Sequence, residues 1–210
     1  LRDMGLFGLI IPEEHGGLEL SNGAYARVLT QTSSHDASTS LTIGAHSSIG
    51  MKGILLYGSE TQKAQYLPKL ATGEYIAAFC LTESGSGSDA ASIRTSAKKN
   101  TDGSWTLNGE KIWITNGGIA QVYTVFARTE GTEGKITAFI VEAGWPGVSH
   151  GGHEDKMGIR ASSTTVVSFA DVRVPAENVL GGEGKGFKVA MGILNSGRTG
   201  LGGGAVGSMK

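Results

Sequence analysis

Thirteen consecutive residues, Cys80-Leu81-Thr82-Glu83-Ser84-Gly85-Ser86-Gly87-Ser88-Asp89-Ala90-Ala91-Ser92, bring hydroxyls, glycines and acid together in one short stretch. The apolar residues Ala77 to Leu81 read as a strand that opens into them. Ser and Gly leave backbone N–H groups and hydroxyls free to converge on one polar or anionic ligand, although the same composition also suits a solvated turn. Gly85-Ser86-Gly87-Ser88-Asp89-Ala90 fits the dinucleotide pattern G-x-G-x-x-A. That pattern needs a helix N-terminus to meet a pyrophosphate, whereas Ser92-Ile93-Arg94-Thr95-Ser96 reads as strand, so a Rossmann site is rejected. Glu83 invites the role of general base. A carboxylate beside N–H donors and hydroxyls has its pKa lowered, however, and is then a poor base.

Elsewhere the chemistry-bearing residues are sparse. His15, His35, His46, His150 and His153 have no Cys or carboxylate partners at metal-ligand spacing, so no metal site is expected. Arg198, with Asn195 close by, offers a guanidinium that could orient an anion, or could be plain surface.

A loop of that kind needs a scaffold, and the periodicity supplies one. Residues 1 to about 75 carry apolar residues at spacings of three and four, the pattern of helices. Pro12 to Gly17 interrupts them as a loop. Ser21 is placed to cap a helix through Tyr25, Val28 and Leu29, and a second helix is predicted from Ser38 to Tyr57. Ser59 and Gln62 form a capping box for a third, which Pro68 and Gly73 should end. From Ala77 the period becomes strand-like. Strands are predicted at Ala77 to Leu81, Ile93 to Ala97, Trp105 to Leu107, Lys111 to Thr115, Val122 to Ala127, Ile136 to Val141 and Thr164 to Phe169. Asp102-Gly103 and Asn108-Gly109 read as hairpin turns. Strands with no helix between them argue for an antiparallel barrel or sandwich. From Gly186 the pattern is helical again. The predicted class is α+β: an N-terminal helical domain (1–76), a middle β domain (77–182) and the start of a C-terminal helical domain (183–210).

Composition sets outer limits. The chain has 210 residues, 39% of them hydrophobic, enough for a real core. Its 18 Lys and Arg against 19 Asp and Glu leave a net charge of -1, so no overall field collects nucleic acid, and an anionic ligand must be held by local geometry. The single cysteine, Cys80, excludes an internal disulfide and fits a reducing compartment. No apolar run approaches the roughly 20 residues that span a bilayer. Glycine is abundant at 34 residues, which suggests many turns and close backbone approaches. The chain starts without Met, inside the helix-like Leu1 to Leu6, and ends at Gly207-Ser208-Met209-Lys210 without a helix stop signal, so a fragment is expected.

Residues 80–92 resemble, position for position, the first sequence pattern of the acyl-CoA dehydrogenase family, and Lys111-Ile112-Trp113-Ile114-Thr115-Asn116-Gly117 resembles its second flavin-contacting strand. The likeness continues in Gly5-Leu6-Phe7-Gly8, in Pro12 to Gly17, in Tyr57-Gly58 through Gln65-Tyr66-Leu67-Pro68, and in Gly186 to Met191 leading to Arg198. It covers nearly the whole chain and looks closest to the very-long-chain branch.

The resemblance implies that Phe79, Cys80, Leu81, Thr82, Glu83, Ser84, Gly85, Ser86, Gly87 and Ser88, with Trp113, Ile114 and Thr115, hold FAD. Donors from Thr82 and its neighbours would stabilise the negative charge that reduction places on the N1/C2 side of the flavin. Thr115 would hydrogen-bond near N5, and Trp113 would cover the ring face, where a strand Trp is otherwise plain core. Ser88, Asn195 and Arg198 would meet the acyl-CoA. The catalytic Glu is expected beyond Lys210. Some relatives carry it immediately before the helix Arg, a position that is Gly197 here.

The implied reaction is FAD-dependent α,β-dehydrogenation of long-chain acyl-CoA to trans-2-enoyl-CoA in fatty acid β-oxidation, with electrons passing to electron-transferring flavoprotein. A mitochondrial homodimer, in the matrix or associated with the inner membrane, is the expected setting. Two alternatives stay open: a complex I assembly scaffold of the same family, its β domain a flavin-free interaction surface, and an acyl-CoA oxidase.

Overall fold

Capping side chains start the N-terminal helices, and the computed structural model describes all residues from 1 to 210. The Ser21 hydroxyl accepts from the Ala24 N–H at 3.3 Å to open α1 (Asn22–Ser33). The Asp36 carboxylate accepts from the Ser38 and Thr39 amides to open α2 (Ala37–Ala45). The single helix expected from Ser38 to Tyr57 is instead α2, a π-helical turn at His46–Gly50, and α3 (Lys52–Tyr57). The π turn lies where the helix crosses a strand at very short range. A Cβ on Gly50 would sit 2.6 Å from the Ala77 carbonyl oxygen, and the Gly50 carbonyl accepts from the buried Thr124 hydroxyl.

The capping box of Ser59 and Gln62 forms as expected and opens α4 (Glu60–Thr72). Pro68 does not end this helix but lies inside it. A proline removes one hydrogen bond without forbidding continuation, and Gly73, at φ 74°, is what terminates α4. Leu1 to Leu6, read as helix-like, forms successive turns.

Eight strands follow: β1 (Ala77–Cys80), β2 (Ser96–Lys99), β3 (Trp105–Thr115), β4 (Val122–Thr129), β5 (Ile136–Glu142), β6 (Val148–His150), β7 (Thr164–Val174) and β8 (Val179–Leu180). Their order is β6-β7-β3-β2-β4-β5-β8, with β1 also paired to β4. The α+β class holds, but the sheet is open and mixed rather than an antiparallel barrel. β5 occupies one edge of β4 along its length, so β1 and β2 share the other edge, both parallel to it. β1 lies beside Val122 to Val125 and β2 beside Arg128 and Thr129. Residues 81–95 are the excursion that leaves this edge and returns to it.

Asn108-Gly109 is not a turn. β3 runs straight through it with a register shift, and a Cβ on Gly109 would lie 2.6 Å from Thr95 Oγ1. The loop after β1 ends in a single 3₁₀ turn at Ala90–Ser92, so no helix follows the Gly-rich pattern, in keeping with the rejected Rossmann reading.

One apolar core joins the helices to the sheet. Ile11, Ile54 and Leu67 pack with Phe126 and Ile140, and with Val189 and Ile193 of α5 (Gly186–Ser208). A second unites Trp105, Leu107 and Val167 of β3 and β7 with Tyr123, Val125 and Phe139 of β4 and β5, so the two halves of the sheet face one another. No helix is long and apolar enough to cross a membrane.

Candidate functional site

The excursion from β1 to β2 is shaped from within. Glu83 turns its carboxylate inward, where it accepts from the Arg94 N–H (2.6 Å), the Thr95 N–H (3.0 Å), the Thr95 hydroxyl (2.6 Å) and Lys111 Nζ (2.7 Å). Lys111 comes from β3, is fully buried, and also donates to the Leu81 carbonyl at 3.1 Å. Burial alone would raise the Glu83 pKa, but the hydrogen bonds from Lys111, Thr95 and the Arg94 amide, with the Lys111 charge, outweigh it and hold the carboxyl below its ordinary value. Burial likewise pulls Lys111 below the usual lysine range, with Glu83 opposing that shift. Glu83 is thus an ionised anchor whose carboxylate is held by four donors. Arg128 completes the frame by donating to the Ile93 and Ala91 carbonyls.

With the interior so tied, the outer surface of the loop keeps its donors free. The Ser86 hydroxyl donates to the Asp89 carbonyl. The Thr82, Ser84 and Ser88 hydroxyls, and the N–H groups of Thr82, Ser84, Gly85, Gly87 and Ser88, have no partner within the chain.

β3 supplies the adjoining wall. A second register shift, between Lys111 and Ile114, leaves Trp113 at φ 56° and frees the Ile112 N–H to donate to the Thr82 carbonyl at 2.9 Å. Trp113 is therefore 64% exposed and not in the core. A large exposed indole on a strained backbone beside unpaired donors is the form of a platform for a flat ligand with a polar edge.

Thr115, two residues on, faces a different space: a cavity of about 430 Å³ between α1, α2 and α5. Its lining includes Leu29, Leu41, Ile49 and Leu194, with Arg198, Thr115 and the serines at 33, 40, 48 and 208 as polar members. Along α5 the lining runs from Leu194 to Ser208, roughly 21 Å at 1.5 Å per residue. Close approach of α5 to its neighbours depends on glycine. A Cβ on Gly200 would lie 2.4 Å from Tyr25, on Gly203 2.4 Å from the Ala26 oxygen, and on Gly207 2.1 Å from the Thr30 oxygen.

The residues expected from sequence divide accordingly. Thr82, Ser84, Gly85, Gly87 and Ser88 lie on the open loop, Trp113 beside it, and Thr115 at the cavity. Cys80, Ile114 and Glu83 have their side chains inside, so only their backbone can face a ligand there; Leu81 is buried in the helix-side core and Phe79 is packed against it. Arg198 lines the cavity and is held at 2.7 Å by Asn195, which itself does not line it; Ser88 does not line it either. Gly197 is buried and lines the cavity, and a Cβ there would meet the Ser48 carbonyl oxygen at 2.9 Å, so any larger residue at this position would have to push α5 away from the π turn.

Two contributors escaped the sequence reading. Lys111 carries no role in the sequence pattern of residues 111–117; the signal for it is a lysine at an inward strand position with an acid in the facing loop. Ile159, at φ 54°, lines the cavity from a loop far along the chain, and nothing local marks it.

Residues 1–74 match the family model "Acyl-CoA dehydrogenase, N-terminal domain" and residues 78–172 match "Acyl-CoA dehydrogenase, middle domain". The whole chain is 56% identical, over 218 residues, to the mitochondrial very long-chain specific acyl-CoA dehydrogenase of Homo sapiens and spans 33% of that protein's length. The structure of butyryl-CoA dehydrogenase from Megasphaera elsdenii superposes with a TM-score of 0.94 at 44% identity, over 98% of this chain and 55% of that one. An acyl-CoA dehydrogenase complexed with FAD from Bacillus anthracis superposes with the same TM-score, 0.94, at 47% identity, over 100% of this chain and 36% of the other.

Proposed function

The chain belongs to the acyl-CoA dehydrogenase family, and we propose that it is the flavin-holding part of an enzyme that oxidises long-chain acyl-CoA to trans-2-enoyl-CoA. The observation that carries this reading is the position of Thr115. It follows the exposed Trp113 on β3 and lines the apolar cavity, so one residue joins a surface suited to a flat polar-edged cofactor to a space suited to an alkyl tail.

The residues fit FAD. Thr82 would hold the N1/C2 edge through its free amide and hydroxyl, with Ser84 to Ser88 offering further donors to the cofactor. Trp113 would cover the ring, and Thr115 would place a hydroxyl near N5. When bound, FAD supplies the acceptor for the β-hydride. Arg198, oriented by Asn195, and Ser88 would meet the acyl-CoA. An extended chain advances roughly 1.2 Å per bond, so the fifteen bonds of a palmitoyl tail need roughly 18 Å, which the cavity lining along α5 accommodates. The base that removes the α-proton lies, in this proposal, outside residues 1–210, because the Glu83 carboxylate is held by four donors and position 197, a glycine, carries no acid.

We further infer the domain division 1–76, 77–182 and 183–210, a homodimer in the full-length protein, electron-transferring flavoprotein as electron acceptor, and a mitochondrial setting, the last supported by the location in the human relative's name. The test uses the full-length protein: it should purify with the visible absorbance of flavin and reduce electron-transferring flavoprotein when given palmitoyl-CoA. A colourless protein that takes up no FAD would favour the complex I assembly scaffold. Palmitoyl-CoA-dependent oxygen consumption without electron-transferring flavoprotein would favour an oxidase.

A further inference from the structure

Lys111 asks for an explanation that stability does not give. A fully buried lysine loses its hydration, and pairing with Glu83 recovers that loss only in part; an apolar side chain of similar length would fill the same space more cheaply. What an apolar side chain could not do is hold the Leu81 carbonyl. Lys111 Nζ donates to that oxygen at 3.1 Å from inside the protein.

The peptide unit is planar and trans, so its C=O and N–H point in opposite directions. With the Leu81 carbonyl drawn inward, the Thr82 N–H of the same peptide must point outward. It has no partner within the chain. The next peptide is fixed as well, since the Thr82 carbonyl accepts from the Ile112 N–H at 2.9 Å and the Glu83 N–H donates to the Ser86 carbonyl at 3.1 Å. Thr82 is thus clamped on its two sides by residues 111 and 112 of β3, the strand that carries Trp113.

We propose that Lys111 is a positioning residue of the flavin site, which holds the Leu81 carbonyl inside so that the Thr82 amide is presented to the N1/C2 edge of the isoalloxazine. This rests on the flavin reading above. Glu83 serves as the counter-ion that lets Lys111 stay charged in the interior. The charge never touches the cofactor; it acts by setting the orientation of one peptide plane.

The experiment compares E83Q with E83Q/K111M in the full-length protein. Glutamine keeps one carbonyl acceptor for Lys111 and the Thr95 donors but removes the counter-ion and turns its amide toward the Arg94 N–H, so E83Q should lose stability; Lys111 Nζ, charged or neutral, still donates to the Leu81 carbonyl, so the folded variant should keep FAD affinity and flavin reduction potential close to wild type. Removing Lys111 in that background frees the peptide without stranding a charge. E83Q/K111M should bind FAD about tenfold more weakly, the order expected for one lost hydrogen bond to a charged or strongly polar acceptor. Its reduction potential should fall, because the donor that stabilises negative charge on the reduced ring is no longer held in place. K111R, which keeps charge and donors, should restore most of both properties relative to the double variant. Equal FAD dissociation constants and potentials for E83Q and E83Q/K111M overturn the proposal, whatever their melting temperatures.

A second measurement needs no variant. In the flavin-free wild-type protein the Thr82 amide hydrogen should exchange rapidly with deuterium, and adding FAD should slow it. Protection before FAD is added, or no change on adding it, overturns the proposal as well. Failure of the unmutated protein to take up FAD overturns the flavin reading and the positioning role together, whereas FAD uptake with unshifted variants removes the positioning role alone.

Discussion

The loop over residues 81–95 and the cavity between α1, α2 and α5 are built by opposite means. In the loop, a few strong polar interactions converge inside: one buried ammonium, one buried carboxylate and two backbone amides fix the chain so that its remaining donors face outward. In the cavity the shape comes from absent side chains. Glycines at 200, 203 and 207 bring α5 against α1, while Gly44 and Ala45 leave the space beneath α2 open. A structure held by a few concentrated interactions should fail sharply when one is removed. One formed by many small contacts should tolerate a change and alter what it admits.

The sharpest test of the first half is Glu83→Ala, which strands Lys111 as an unpaired charge with no exposure. Breaking one side of a buried pair typically costs about 3–5 kcal/mol, and equilibrium denaturation of the variant against wild type reads it directly. A loss below about 1 kcal/mol, the size of an exposed ion pair, would show that the loop does not depend on its buried charges.

His46 ties α4 to β1, the strand that leads into the loop, and should make that joint sensitive to pH. It sits at the start of the π turn, accepts the Ala77 N–H on Nδ1 at 3.0 Å, and donates from Nε2 to the Leu70 carbonyl at 3.2 Å, which fixes the neutral form. Burial pushes its pKa down to about 4 from 6.5. Between those values the unfolded chain binds a proton that the folded chain does not, so stability falls as pH drops through that window, by about 1.4 kcal/mol per unit and about 3 kcal/mol in all. Most carboxylates stay ionised above about pH 5, so the slope from about pH 6.5 to about pH 5 reports histidines, and the part of it that disappears in His46→Gln belongs to His46. A flat stability over that interval would separate His46 from the joint between β1 and the helices.

The loop was more legible in the sequence than its support. Residues 80–92 announce themselves because hydroxyls and glycines cluster by type; the direction of the Glu83 shift agrees with the sequence, but Lys111, Thr95 and the Arg94 amide, all outside residues 80–92, supply it rather than the loop's own hydroxyls. The strand opposite misleads. Strict alternation from Trp105 and Leu107 puts position 113 in the core, and only the register shift between Lys111 and Ile114 turns Trp113 outward and Ile114 inward. Bulges depend on what the strand must pass, which is tertiary information. The same holds for the helix expected at Ser38–Tyr57, whose π turn answers the contact of Gly50 with Ala77. Mixed strand directions were hidden for a related reason: β1 and β2 share an edge of β4, a strand that follows both in the chain.

The small residues on that helix separate into two kinds, and the cavity half of the comparison turns on them. A Cβ on Gly50 or Gly53 would press on Ala77 or on Ile193 and Leu180, so these two serve packing. A Cβ on Gly44 would meet only Leu29 Cδ1, at an ordinary 3.6 Å, and the residue lines the cavity. Gly44→Leu in the full-length enzyme should therefore keep the fold and shorten the space. The ratio of kcat/KM for palmitoyl-CoA to that for octanoyl-CoA should drop about a hundredfold, equivalent to about 2.7 kcal/mol. Equal loss on both substrates with a lower Tm would return Gly44 to a packing role.

The smallest expected effect falls where the two regions meet. Thr115 has no hydrogen-bond partner for its hydroxyl within the chain, and its side chain is half-buried at the cavity. Valine keeps the β-branched shape that suits the end of β3 while removing that one group, so Thr115→Val should leave the unfolding transition of the flavin-free protein in place. What changes should be confined to the cofactor: FAD affinity, or the rate at which acyl-CoA bleaches the flavin absorbance, should fall by the equivalent of about 0.5–1.5 kcal/mol, the usual net worth of one hydrogen bond. The control is Thr82→Val, which removes a hydroxyl from the loop but leaves the amide that Lys111 orients. If Thr115 marks the join between the polar surface and the tail space, its loss should slow flavin bleaching by palmitoyl-CoA and octanoyl-CoA alike, since the hydroxyl lies ahead of the point where tail length matters. Unchanged spectrum, affinity and bleaching rate in Thr115→Val would place the cofactor away from Thr115 and divide the loop from the cavity.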